Sequence, residues 1–193
     1  MPQPFGFRAS RHLNGSNCFS TNTYQVASAA TDLWQDQLVT FVSGKIVEAS
    51  SASTTPILGV VKALYSNVKN RPLTHNLPGT GNYVTATTTS AYVEVYIDPD
   101  IIFEVVADSA MSNLDIGQVG DIAANASGNP STGKSRQEAD GSSFVAATSA
   151  NVETLPLICV GIGKTSESKI GTGWANDGTI EVLINNHVFR PKT

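Results

Sequence analysis

The chain has 193 residues, of which 40% are hydrophobic and only 15% charged, against roughly 25% charged in an average globular protein. That apolar content supports a buried core, and the small net charge of −4 excludes an intrinsically disordered chain. No apolar run approaches the roughly 18 residues of a membrane span, and two cysteines, Cys18 and Cys159, give neither a disulfide framework nor a metal pattern.

Residues 1–23 carry Phe5, Phe7, Phe19, Arg8, Arg11 and His12, with no acidic residue and no helical or strand period. Such a segment builds no core of its own. It reads as an extended amino-terminal arm whose Phe5, Phe7 and Leu13 supply apolar contact and whose Arg8, Arg11 and His12 supply polar contact. The receiving surface lies on this subunit, a sister subunit or another protein. The start is polar and contains Pro, without the apolar stretch of a secretory signal.

Residues 24–193 read as one β-rich domain. Tyr24-Gln-Val-Ala alternates. Gln37-Leu-Val-Thr-Phe-Val is β-rich and stops at Ser43-Gly44, after which Lys45-Ile-Val-Glu returns, predicting a hairpin about Gly44. Pro56 leads into a strand from Ile57 to Tyr65. The β-branched run from Tyr83 to Ile97 is long enough to break near Ser90. Asp98-Pro99-Asp100 reads as a tight turn, because Pro presets φ and Asp caps turns. Ile101–Val106 is the partner strand. Later strands fall at Gly120–Ala124, Phe144–Thr148, Leu155–Ile162 and Thr179–Ile184. Helix signals are scarce: Asp108–Asp115, capped by Asp108 and ended at Gly117, and a weaker stretch at Ala30–Asp36. Asn125–Ser143 is polar and reads as a surface loop. The expected fold class is therefore all-β, a sandwich or barrel with an extended amino-terminal arm and at most one or two short helices.

One internal echo stands out. Asp36-Gln-Leu-Val-Thr-Phe-Val followed by Ile57-Leu-Gly-Val-Val resembles Gly117-Gln-Val-Gly-Asp-Ile-Ala followed by Leu157-Ile-Cys-Val-Gly-Ile. It reads more as the Gly-Val-rich texture common to β proteins than as a duplicated β unit.

Charge is unevenly laid out. Pro72–Gly133 holds Glu94, Asp98, Asp100, Glu104, Asp108, Asp115 and Asp121 with no Lys or Arg. This acidic middle argues against a nucleic-acid-binding face, which needs a basic patch. A basic arm attracts an acidic middle, within or between subunits, so Asp98, Asp100 and Glu104 are candidate arm-accepting residues. Trp174, in a turn-rich loop, is a further candidate contact.

Motifs with chemistry are few. Gly128-Asn-Pro-Ser-Thr-Gly133-Lys134-Ser135 matches GxxxxGK[ST], the pattern whose backbone amides cradle phosphates at a strand-to-helix junction. The residues that follow it lack an apolar face and break at Gly141, so it reads as a polar loop. Asp98 and Asp100 pair carboxylates as a hard-cation site does, and a turn explains them more simply. His12, His75 and His187 lack metal spacing. No nucleophile motif is present. The reading is not an enzyme, with no cofactor.

The opening Pro4-Phe5-Gly6-Phe7-Arg8-Ala-Ser-Arg11-His12-Leu13-Asn-Gly15-Ser16 resembles that of tailed-bacteriophage head decoration, or capsid cement, proteins. Further similarity lies at Asp98-Pro-Asp100-Ile-Ile-Phe-Glu-Val, Asp115-Ile-Gly117, Ser131–Arg136 with Glu138 and Asp140, the strand holding Gly161, and Val182-Leu-Ile-Asn185-Asn186-His187. Ala9 stands where the family pattern often has Pro. The resemblance implies a structural virion protein, homotrimeric, on the outer capsid surface. It implies manufacture in the bacterial cytoplasm and clamping of neighbouring major capsid protein subunits, with no nucleic-acid or membrane partner. The alternative is a β-sandwich binding module of the virion, for tail attachment or host-surface glycans.

Overall fold

The structure is a computed structural model that describes residues 4–27, 32–51, 55–65, 83–84, 91–123, 128–163 and 178–190. Its strands are β1 (Arg8–His12), β2 (Thr21–Gln25), β3 (Leu38–Val42), β4 (Lys45–Glu48), β5 (Ile57–Tyr65), β6 (Tyr92–Tyr96), β7 (Ile101–Val106), β8 (Val119–Ile122), β9 (Ala139–Val145), β10 (Leu157–Ile162) and β11 (Thr179–Ile184). Helical structure among the described residues is a 3-10 turn at Asn113–Asp115 and one helix, α1 (Ser149–Thr154). The protein is all-β, with two antiparallel sheets ordered β1-β7-β11-β10-β8-β9 and β2-β6-β5-β3-β4.

Local sequence accounts for the clearest elements. Leu38–Val42 is β-branched or aromatic at every position after Leu38. It meets Lys45–Glu48 through Ser43 and Gly44, both at positive φ (52° and 76°). Two left-handed residues make the turn whose twist matches that of a hairpin. Asp98-Pro99-Asp100 is the expected turn between β6 and β7. The Asp98 side chain accepts the Asp100 amide at 3.1 Å, the pattern by which Asp substitutes for a backbone turn.

The sequence echo marks a repeated architecture. In one sheet β2 is followed, in spatial order, by β6, β5, β3 and β4; in the other β7 is followed by β11, β10, β8 and β9. The two five-strand orders are the same, offset by five elements. A parallel bridge rolls each sheet toward closure, Val26 to Ile46 in one and Ala107 to Ala139 in the other. Bulges recur at matching places, between Val61 and Ala63 on β5 and between Cys159 and Gly161 on β10. The register then equates Val93-Glu94-Val95 with Ile180-Glu181-Val182. The texture reading preferred from the sequence is therefore corrected: the matching strand orders and bulges favour a repeated β unit.

The core follows from the repeat. Val39, Ile46, Leu58, Val61, Val93 and Val95 fill the first unit. Val105, Ile122, Leu157, Cys159, Ile180 and Val182 fill the second, and Leu38, Val60 and Tyr96 from the first sheet's other face pack onto them.

The expectation of an amino-terminal arm without strand character is corrected. β1 lies within residues 1–23 and pairs antiparallel with β7, from Arg8 opposite Glu104 to His12 opposite Ile101. The first half of β2 lies there too. Phe7 is fully buried in the shared core, and its amide bonds the Asp36 carbonyl at 2.7 Å. Gly6 makes this possible: its φ is +75°, and a Cβ there would sit 2.3 Å from that carbonyl oxygen. A bulge between Ala9 and Arg11 explains why no strand period is visible in the sequence, since one extra residue resets the alternation.

Other expectations shift as well. Asp108–Asp115 is not a two-turn helix. Ser112, not Asp108, caps a single 3-10 turn, with Asp115 completing the capping box, while the Asp108 carboxylate accepts the Gly141 amide. Asp32–Asp36 is not helical; Leu33 bridges to Val84 and Gln35 to Lys134. The strand expected at Phe144–Thr148 begins earlier, at Ala139, inside the expected loop, and Thr148 instead caps α1. Residues 85–90, and with them the break near Ser90, lie outside the described residues. Cys18 is exposed, Cys159 buried, and both are free thiols.

Because residues 1–23 contribute Phe7 and β1, their deletion is expected to give an unfolded or aggregating product. Phe7→Ala is expected to lose about 3–5 kcal/mol, as large buried aromatic truncations do. Urea unfolding followed by circular dichroism checks both; a truncated protein with wild-type stability would contradict this packing.

Candidate functional site

The amino-terminal residues singled out from the sequence reach two places. The first is the outward face of the β1-β7-β11 ladder. Arg8, Glu104 and Glu181 are consecutive register partners across three strands. Arg8 is exposed, and its guanidinium lies 4.4 Å from the centre of the half-buried Phe5 ring, a cation–π contact. Arg11 forms an ion pair with Glu181, whose side chain is only 4% exposed. The other Glu181 oxygen, Oε1, is buried with no hydrogen-bond partner. A carboxylate in that position depends on its one counter-charge, because an unpaired buried charge is among the costliest features a fold can carry.

The second place is a corner where three distant segments meet. His12 Nε2 lies 3.0 Å from Asp98 Oδ2, and the Leu13 amide donates to the Asp100 carbonyl at 2.9 Å. From the far end of the chain, Arg190 donates to Asp100 Oδ1 at 2.8 Å and to the Pro99 carbonyl at 3.0 Å. The segment leaving β11 is anchored beneath, with Ile57 donating to the Asn186 carbonyl and Val188 donating to that of Ile57. The corner presents Leu13 (51% exposed), Val188 (36%) and Phe189 (52%) beside these charges. Apolar side chains ringed by Arg, Asp and His are the composition of a protein-contact patch.

His12, Asp98 and Asp100 place one ligand atom each within 4.8 Å of one another. In the structure these atoms are committed to the turn, to each other and to Arg190. A divalent cation there would have to break the His12–Asp98 contact and compete with the Arg190 guanidinium for Asp100, so the arrangement works first as a three-segment clasp.

His187 lies under the corner, 2% exposed. Its Nδ1 accepts the Phe189 amide at 3.0 Å, which requires that nitrogen to be unprotonated. Burial, reinforced by the Arg190 charge and opposed by Asp98 and Asp100, pushes its pKa down from 6.5 to about 4.

The GxxxxGK[ST] stretch is elsewhere and is fully occupied. Asn129–Lys134 forms a tight turn in which Gly133 donates to the Asn129 carbonyl, and Ser135 donates to that of Gln35. Lys134 Nζ pairs with Asp36 Oδ2 at 2.8 Å, and burial raises the Asp36 pKa against the pull of Lys134. Ser135 is fully buried, and the chain continues into strand β9 rather than a helix. Amides already bonded to carbonyls offer no phosphate cradle.

Of the sequence candidates, the structure brings His12, Leu13, Asp98 and Asp100 together, places Arg8, Arg11 and Glu104 on the neighbouring ladder, and buries Phe7 in the core. Trp174 and His75 lie outside the described residues. Sequence reasoning missed Glu181, Phe189 and Arg190. Glu181 was signalled by the match of Ile-Glu-Val to Val-Glu-Val; nothing in the sequence pointed to Arg190. No protein-family model, curated protein or solved structure matches the chain.

The sign of the His187 shift fixes a pH dependence. A folded pKa below the unfolded one means the unfolded chain binds the proton first. Stability is then fully present above pH 6.5 and falls as pH drops toward 4, by on the order of 3 kcal/mol in total. The melting temperature is expected to drop across that window and to drop less in His187→Asn, whose side-chain oxygen still accepts the Phe189 amide. Equal slopes in both proteins would refute the assignment.

Proposed function

We propose that this chain is a structural virion protein, a head decoration protein that binds the outer surface of a tailed-phage capsid and ties neighbouring major capsid protein subunits together as a homotrimer. The observation that carries the reading joins sequence and geometry. The blocks through which the sequence resembles that family, Arg11-His12-Leu13, Asp98-Pro99-Asp100 and Asn185-Asn186-His187, are far apart in the chain. They adjoin in one corner that also exposes Val188, Phe189 and Arg190.

The corner suits a docking role physically. Its backbone is held by bonds among three segments, so little loop ordering is left for the moment of binding. Burying Leu13 and Phe189 against a shell contributes roughly 1.5–3 kcal/mol each. Contacts of that size are weak singly and strong when three copies engage together. The amino-terminal segment acts in this reading as a wall of the contact surface, not as a free-swinging clamp.

The test is co-sedimentation of purified protein with undecorated expanded capsids, with unexpanded procapsids as control. Saturable binding to the expanded shell is expected, reduced at least about tenfold by Leu13→Asp combined with Phe189→Ala, a loss of about 1.4 kcal/mol or more. Both residues are half-exposed, so the double variant is expected to fold. Binding to neither shell would reject the reading, and undiminished binding by the folded double variant would reject the corner as its site.

A further inference from the structure

The two repeat units treat one equivalent face differently. In the second unit Glu181 is covered and answered by Arg11 from β1. In the first unit the matching Glu94 stands on a half-exposed ledge and is answered within its own sheet. Its Oε1 accepts from Lys62 Nζ at 2.9 Å and Thr21 Oγ1 at 2.7 Å, and its Oε2 accepts from the Tyr65 hydroxyl at 2.9 Å.

The register shows what else shares that face. Gln25, Tyr92 and Tyr65 form one row across β2, β6 and β5; Thr23, Glu94 and Ala63 form the next; Thr21, Tyr96 and Val60 form the third. Tyr96 and Val60 reach the core, with Phe19 packed edge-on against Tyr96. The face turns polar and half-exposed from there outward. The bulge between Val61 and Ala63 adds Lys62 at this place, with its ammonium 5.9 Å from the centre of the Tyr96 ring. Bulges re-aim side chains at functional sites.

We propose that this ledge, centred on Glu94, Lys62, Tyr65 and Tyr92, is a binding site for a neutral saccharide. The charge balance selects the ligand class. Lys62 and Glu94 cancel, so the ledge attracts neither anion nor cation strongly. Burial raises the Glu94 pKa, but its hydrogen bonds outweigh that and leave it lowered from the ordinary value, keeping the carboxylate ionised and fixed. It retains acceptor capacity at Oε2 beyond the Tyr65 bond, Lys62 retains free donors, and Thr23 and Gln25 add a hydroxyl and an amide. Paired tyrosines on adjacent strands supply the negatively polarised aromatic faces against which sugar C–H groups pack. Among the described residues the ledge offers aromatics and fixed polar groups without an exposed large aliphatic side chain, which fits a polyol better than the apolar middle of a protein interface. This site is separate from the corner, so the two readings stand or fall apart.

The experiment is a 1H–15N correlation titration of the full chain with maltohexaose, cellohexaose and hexa-N-acetylchitohexaose, each to about 10 mM, ten times a millimolar dissociation constant. Saturable shifts confined to Thr21–Gln25, Val60–Tyr65 and Tyr92–Tyr96 are expected with at least one sugar. Tyr92→Ala is expected to weaken that affinity by about tenfold or more while leaving the rest of the spectrum unchanged. No shifts with any sugar, or shifts elsewhere, would overturn the proposal. So would ledge shifts that track protein concentration without sugar, which would assign the face to self-association.

Discussion

A carboxylate buried in a sheet must be given a partner, and that requirement organises this protein. Glu181 sits on β11 with Glu104 directly opposite on β7, a like-charge pairing that disfavours the ladder. Among the described residues, the bulge on β10 that matches the Lys62 bulge carries Val160 in place of a base. The guanidinium comes instead from Arg11 on β1. An additional strand, outside the five of the repeat, therefore completes the second unit electrostatically. Phe7, one residue before that strand, fills the core beneath it. The first unit needs no such strand, because Lys62, Thr21 and Tyr65 satisfy Glu94 locally.

Placing β1 along β7 also determines where the chain goes next. His12 and Leu13 arrive at the β6–β7 turn, where Asp98 and the Asp100 carbonyl receive them. The exit from β11, which neighbours β7, brings His187, Phe189 and Arg190 to the same turn. One partly buried ion pair thus leads, through strand order, to a corner that joins both ends of the described chain. Most of the corner's bonds hold it together; Leu13 and Phe189 are left to face outward.

The β class, the Gly44 hairpin, the Asp98–Asp100 turn and most strand positions were legible because each rests on local residue preferences. The repeat was only half legible. Its strand order is shared, but the matched residues differ at most positions, and the clearest trace is one tripeptide on each of β6 and β11. The amino-terminal segment was misread as an arm because its bulge removes the two-residue period and its single core residue, Phe7, carries no pattern. Its polar character was legible, and His12 does contact Asp98 of the acidic middle. The most buried partner, Glu181, lies outside that acidic stretch, and only the fold brings it to Arg11. Arg190 was illegible for the same reason: its contact with Asp100 spans 90 residues.

The account rests on β1 being an integral strand. The most direct test is native-state hydrogen exchange at the β1 amides that face β7, compared with amides of β7 and β11. Protection in β1 equal to the global unfolding free energy is the expected result, since the strand carries both Phe7 and the partner of Glu181. Rapid exchange in β1 with full protection in β7 and β11 would show a peripheral segment, and would contradict the account.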